Sequence, residues 1–298
     1  MTVIDRRALM QLGATVAAIW SIPAFALPDP PVPGLERRYI SCRFGQLHLR
    51  IARPARAVRG RPPLVLFHQT PLSGRMFEHI LPHLADGRFA IAVDTPGYGE
   101  SDRPAERPTL AAYGDAILDA LAGQFGNRID LLGYHTGAAI ALDLAARRRA
   151  ARRLVLIAVP LLDAARRQPL LTQLAADKDP FPADGSALLQ QWSGSVAARP
   201  PDQSIEDVAR LVAEKQRGGR HYEWALRSAM EADLVPLADR IKVRALVIAP
   251  HDGLQGPSAE AARLMKARLI ERPDWRYGLF DAAPKEVATM INLFLAEV

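Results

Sequence analysis

Gly133-Tyr134-His135-Thr136-Gly137 is the most informative segment of the chain. It follows the G-x-S-x-G pattern, in which a buried strand ends in a sharp turn that lifts one side chain above the sheet and opens a helix. Here His stands where the pattern has Ser. The flanks suit that geometry. Arg128-Ile129-Asp130-Leu131-Leu132 is a short apolar run of strand length, and Ala138 to Arg149 is rich in Ala and Leu with a basic end, as a helix C-terminus prefers. Gly133 and Gly137 carry no Cβ, so strand and helix can pack closely around the turn. The turn residue sits at positive φ, where His is several-fold enriched among non-glycine residues, so His135 can occupy it. What changes is the chemistry, because no activated hydroxyl is present.

On either side of this turn, strand-like and helical runs alternate. Arg38 to Ala52 reads as a hairpin turning near Gly45, and Pro63 to Phe67 and Phe89 to Val93 read as buried parallel strands. Leu154 to Ala158 and Ala245 to Ala249 continue the series, and helical patterns fall at Met76 to Leu84 and Leu110 to Phe125. The alternation predicts an α/β fold: a mostly parallel, doubly wound sheet with helices on both faces, spanning 38–160 and 242–298. Residues 161–241 break the rhythm. They hold Pro180, Pro182, Pro200 and Pro201 and helical pieces at Ile205 to Lys215 and Tyr222 to Ala232, but no convincing strand. This segment is expected to fold as a helical cap over the sheet.

The 298-residue chain does not begin with that fold. Asp5-Arg6-Arg7 precedes an apolar stretch from Ala8 to Ile22, and Ala24-Phe25-Ala26 has small residues at the two positions a signal peptidase reads. Residues 1–26 resemble a twin-arginine signal, with a Pro-rich lead over 27–37. Fifteen residues interrupted by Gln11, Gly13 and Ser21 fall short of the roughly 20 needed to span a bilayer. Cleavage, passage through the twin-arginine export machinery and a periplasmic or secreted location are therefore expected. The single cysteine, Cys42, excludes an internal disulfide. Of the 38 basic residues behind a formal charge of +6, only five are Lys, and the densest Arg cluster, at 147–149 and 152–153, lies at the end of a helical pattern without interleaved aromatics. That is a solvated face opposing the helix dipole, not a nucleic-acid surface. No Cys/His cluster has zinc-like spacing and no glycine-rich loop matches a nucleotide motif, so neither metal nor organic cofactor is expected.

At this point the chain resembles the α/β-hydrolase family, from about Arg38 to the C-terminus. Leu66-Phe67-His68-Gln69-Thr70-Pro71 is similar to that family's His-Gly-x-Pro loop, Asp94-Thr95-Pro96-Gly97-Tyr98-Gly99-Glu100-Ser101 to its D-x-P-G-x-G-x-S loop, and the His135 turn follows in the expected order. The pairing of HQTP with GYHTG resembles a bacterial subgroup. The resemblance implies an oxyanion hole made by the backbone N–H groups of Thr70 and Thr136, which survives the loss of a Ser nucleophile. It places the triad acid at Asp252, in Pro250-His251-Asp252-Gly253. The family His, seven residues before the Pro that opens the last helix, falls at Tyr277, counted back from Pro284. Expected catalytic residues are thus His135, Asp252 and Tyr277. Expected substrate contacts are His68, Gln69, Tyr134, Trp192 and Trp224, and the cap residues Phe181, Tyr222 and Met230 are further candidates to line an apolar pocket. The bland readings are a turn at Asp252, an ordinary bonded hydroxyl at Tyr277, backbone-bonded loop His at 68, and packing for the cap aromatics.

At a helix N-terminus the positive end of the dipole favours a neutral imidazole, which can serve as nucleophile or general base. Either role suits hydrolysis of a small apolar ester or lactone. The base role also suits a cofactor-independent lyase. Against both stands a catalytically silent protein that binds a small ligand under the cap, because an enzyme acting through a triad loses orders of magnitude when its members go.

Overall fold

A computed structural model describes residues 34–148, 150–175, 179–199 and 203–297. The expected signal segment, and the lead up to residue 33, lie outside them. Among the described residues eight strands form one sheet: β1 (Leu35–Cys42), β2 (Gly45–Ala52), β3 (Leu64–Phe67), β4 (Ala90–Val93), β5 (Ile129–Tyr134), β6 (Ala151–Ile157), β7 (Arg244–Pro250) and β8 (Arg268–Arg272). Their spatial order is β1-β2-β4-β3-β5-β6-β7-β8. β1 and β2 are an antiparallel hairpin, β2 pairs antiparallel with β4, and every later pairing is parallel.

The helices, in chain order, are α1 (Leu81–Leu84), α2 (Leu110–Phe125), α3 (Thr136–Arg147), α4 (Ala164–Ala175), α5 (Ser186–Ala198), α6 (Ile205–Gln216), α7 (Trp224–Glu231), α8 (Val235–Asp239), α9 (Gln255–Met265), α10 (Leu279–Ala282) and α11 (Pro284–Ala296). The central strands LVLF and AIAV are buried at every residue, as strands covered on both faces must be. Successive side chains go to opposite sides: Val65, Phe67, Leu131 and Val247 join one apolar cluster with α2 and α3. Leu64, Leu66, Leu132 and Leu246 join the other with α1 and α11. At the far edge β8 is only half-buried and carries Arg268, Glu271 and Arg272, charges that discourage pairing with another strand.

Three details differ from the sequence reading. The hairpin starts at Leu35, so 35–37 belong to the sheet and not to the lead. The helix expected over 76–84 is a 3-10 turn at Gly74–Phe77 and a one-turn α1, because Pro82 lacks the N–H that a continuous helix needs beyond its first turn. Met230, expected among the ligand-lining cap residues, is packed into the core cluster.

Between β6 and β7 run α4 to α8. Helices α4 and α5 bury no residue, whereas α7 buries Ala225, Ser228, Ala229 and Met230 and packs against α2, α3 and α4. The buried Tyr98 hydroxyl fastens this segment to the core: it accepts the Ala225 N–H at 2.9 Å and donates to the Tyr222 carbonyl at 3.0 Å. Glu214 of α6 accepts from the buried Ser73 hydroxyl, in the loop after β3. Among the described residues no helix is long and apolar enough to cross a membrane.

Candidate active site

His135 stands between β5 and α3 with φ 51° and ψ −117°. Its N–H donates to Ile157 of the next strand at 3.1 Å, and its carbonyl accepts the Ala138 N–H at 2.8 Å, so the turn is held from both sides. The flanking glycines are required by close approach. A Cβ on Gly137 would run into the Phe67 carbonyl, and one on Gly133 into the Gly137 carbonyl. The backbone thus has no freedom to withdraw the His135 side chain.

That side chain meets Asp252. His135 Nε2 lies 2.9 Å from Asp252 Oδ2, with the imidazole side chain 16% exposed and the carboxylate fully buried. Asp252 sits in the turn after β7, where its other oxygen accepts the Leu254 N–H at 3.1 Å and its own N–H donates to Pro250. An ionised carboxylate only accepts, so it assigns the ring proton to Nε2 and leaves the lone pair on Nδ1.

Two tyrosines hold the ring. Tyr277 stacks on it, centroids 5.5 Å apart and planes 27° from parallel, while Tyr134 meets it edge-on at 4.4 Å. The Tyr277 hydroxyl reaches toward the Asp252 carbonyl at 3.5 Å, the outer limit of a hydrogen bond. Burial first, and then the charge of Asp252, raise its phenol above the ordinary range.

The backbone N–H groups of Thr70 and Thr136 have no hydrogen-bond partner among the described residues, and the two hydroxyls are 2.9 Å apart. The loop after β3 and the start of α3 therefore present two unpaired amide donors beside His135. Gln69, the residue before Thr70, is half-buried, and its carbonyl takes the Leu72 N–H at 3.1 Å.

The remaining expected contacts fall elsewhere. His68 is fully buried with both ring nitrogens engaged: Nδ1 donates to the Gln69 carbonyl and Nε2 accepts the Thr95 N–H, each at 2.9 Å. It braces two loops and has no edge left for a ligand. Burial holds its imidazole below the ordinary range, against the opposing pull of the Gln69 bond. Tyr134 is likewise buried, wedged between His135 and Phe280 beneath the site and not lining it. Trp192 and Trp224 are half-buried on α5 and α7, and Trp224 packs on His221 at 4.3 Å, so neither is brought to His135 by these contacts.

Sequence reasoning missed a buried ionic cluster below the Thr70 loop. Asp94 accepts from Arg50 and the Gly74 N–H at 2.8 Å each, and from His48 and the Glu100 N–H at 2.9 Å each. Burial pushes its carboxyl up, but the His48 bond and the Arg50 charge outweigh burial and hold it far below the ordinary range. The available signal was His48-x-Arg50 in β2, two basic residues on one face of a strand expected to be apolar there. Among the described residues no group of three or more His, Cys, Asp or Glu could hold a metal ion.

Comparison with known proteins follows the same lines. A family model described as alpha/beta hydrolase fold matches residues 62–221. The pimeloyl-[acyl-carrier protein] methyl ester esterase of Aromatoleum aromaticum (strain DSM 19018 / LMG 30748 / EbN1) is 30% identical over 257 residues, 78% of this chain and 97% of that protein. Among solved structures, a hydrolase from Pseudomonas aeruginosa PA01 superposes with a TM-score of 0.71 at 22% identity, over 88% of this chain and 99% of that one. The enol-lactonase from Burkholderia xenovorans LB400 gives 0.69 at 22% identity, over 87% and 100%.

Proposed function

Because the chain belongs to the alpha/beta hydrolase fold family, we propose that it hydrolyses a small apolar ester or lactone at a site centred on His135. The observation that carries this reading is the 2.9 Å contact between His135 Nε2 and the buried Asp252 carboxylate. A His that takes the turn position and is oriented by an acid is equipped for proton transfer without a serine.

The role assigned to His135 is general base. Nδ1, the nitrogen with the lone pair, neighbours the ring carbon that bears the side chain, and the ring is flanked by Tyr134 and Tyr277. An acyl group on that nitrogen would be crowded, whereas a water molecule would not. Nδ1 takes a proton from water as the water oxygen bonds to the carbonyl carbon, and the Thr70 and Thr136 amides receive the oxyanion. As the tetrahedral intermediate collapses, the bond to the leaving oxygen breaks and the imidazolium returns its proton to that oxygen. Asp252 stabilises the imidazolium in between. The similarity to a methyl ester esterase and to an enol-lactonase supports an ester-type bond as the target. Helices α4 to α8 form the cap over this site in the proposal, and export through the twin-arginine machinery is included on the strength of Asp5-Arg6-Arg7 and the apolar run after it.

The test is hydrolysis of a panel of short-chain activated aryl esters and lactones by the mature protein beside His135→Ala. Saturable turnover that is lost in the variant supports the reading. No turnover, or equal turnover in both proteins, sinks it and leaves ligand binding. Product formed without incorporation of solvent oxygen-18 would identify a lyase.

A further inference from the structure

We infer that the paired hydroxyls of Thr70 and Thr136 supply a third donor to the oxyanion hole, Thr70 Oγ1 donating to the substrate oxygen and Thr136 holding it in place. The inference rests on the hydrolytic reading above and deepens it, since it names a carbonyl oxygen as the group the site is built to receive.

The count of hydroxyl protons decides which oxygen donates. The two Oγ1 atoms are 2.9 Å apart, so one hydroxyl donates to the other. Two hydroxyls bring two protons, and only one is used between them. Among the described residues neither oxygen makes a further hydrogen bond, which leaves one proton without a protein partner. Thr136 is only 4% exposed, whereas Thr70 is more open. If Thr70 were the donor, the surplus proton would be shut in on Thr136, at the cost of an unsatisfied buried donor. With Thr136 as donor, the surplus proton is carried by Thr70 and faces outward.

Position makes this proton useful. Each Oγ1 is three covalent bonds from its own amide nitrogen, and both of those amides are unpaired. Three donors, from the loop after β3 and the start of α3, therefore lie in one small region beside His135. An alkyl halide offers no oxygen to such a hole, whereas an ester or lactone carbonyl does, and its oxygen becomes a better acceptor as negative charge develops on it. The hydroxyl bridge also joins residues 66 positions apart, which sets the spacing of the two amide donors.

The experiment compares Thr70→Val and Thr136→Val, which keep shape and backbone amide, with Thr70→Ser and Thr136→Ser, which keep the hydroxyl. Thr70→Val is expected to lower kcat on an activated ester by roughly 10²-fold with KM little changed, and Thr70→Ser to restore most of it. Thr136→Val should lower kcat less, Thr136→Ser should restore it, and the double Val variant should be no worse than Thr70→Val because the hydroxyls act as one unit. Unchanged kcat in Thr70→Val, or losses that simply multiply in the double variant, overturn the inference. His135→Ala separates the two ideas: turnover lost there but kept in Thr70→Val sinks the hydroxyl donor alone. Should the wild type turn over none of the panel, calorimetric binding of methylphosphonate, a tetrahedral anion, decides. Binding weakened at least about tenfold in Thr70→Val but not in Thr70→Ser upholds the donor. Equal binding, or none to the wild type, overturns it.

Discussion

His135 Nε2 and Asp252 Oδ2 stand 2.9 Å apart, although one belongs to the turn after β5 and the other to the turn after β7. Three elements of the sheet must be in register for that contact: β6, lying between the two, takes the His135 N–H on its Ile157 carbonyl. Replacing Asp252 by Asn keeps the shape but not the chemistry. The amide carbonyl is expected to retain the Leu254 N–H, which turns the NH2 group toward His135 Nε2 and forces that nitrogen to accept. The ring proton then moves to Nδ1, the nitrogen proposed to act as base. Turnover should fall by about 10² to 10⁴-fold with little loss of thermal stability, and nitrogen-15 shifts of His135 should report the exchanged tautomer. An Asn variant with unchanged turnover would remove Asp252 from the mechanism.

Tyr277 offers His135 a ring face and offers Asp252 only a hydroxyl contact at 3.5 Å. The ring is expected to matter more than the hydroxyl. Tyr277→Phe should keep kcat within about threefold, since so long a hydrogen bond contributes little, whereas Tyr277→Ala frees the imidazole from one wall and should cost about tenfold or more. The reverse ranking in steady-state kinetics would make the phenol itself a participant.

The fold was readable because its punctuation is local. GYHTG, the apolar runs LVLF and AIAV, and the Pro284 helix start each carry their own geometric demand, and their order leaves one topology. The family resemblance places Asp252 after the strand that follows the cap segment and Tyr277 seven residues before Pro284, and the structure brings both to His135. Burial was less legible. His68 is expected as a substrate contact beside the bland reading of a backbone-bonded loop His, and the structure upholds the bland one: the Gln69 carbonyl takes Nδ1, and Thr95, from a different strand's loop, occupies Nε2. Tyr134 precedes His135 by one residue, but Phe280, 146 positions later, packs on it and closes it in. Nothing local to Asp94 announces that Arg50, 44 positions earlier, would neutralise it inside the sheet.

That buried cluster sets a stability prediction. Asp94 is inaccessible and serves Arg50, His48 and two loop amides together, so Asp94→Asn leaves Arg50 with Glu78 as its one remaining carboxylate. Removing one member of a buried ionic group costs about 3–5 kcal/mol, and the urea midpoint should fall accordingly at neutral pH. The loss should also narrow the difference between the two proteins in acid. The folded-state carboxyl titrates below its unfolded value, so the wild-type advantage is present above about pH 4 and fades as pH falls further through the depressed value. A variant as stable as wild type at pH 7 would show the cluster to be energetically idle.

His68 gives a second pH dependence, at milder acidity. Its folded-state imidazole is held below the ordinary value of about 6.5, chiefly by burial. The unfolded chain therefore binds the proton first as pH falls through that value, and the free energy of unfolding declines by up to about 1.4 kcal/mol per pH unit until the folded form titrates too. Above about pH 7 both states are neutral at this residue and its contribution is flat. Protonation of Nε2 in the folded protein would also expel the Thr95 N–H it accepts. His68→Gln can reproduce both bonds, its oxygen taking the Thr95 N–H and its NH2 group reaching the Gln69 carbonyl, without a titrating group. Thermal melts of the two proteins between pH 8 and pH 5 should diverge only below about pH 6.5, with the Gln variant the less sensitive. Parallel melting curves across that interval would mean that the brace formed by His68 does not titrate before the fold itself fails.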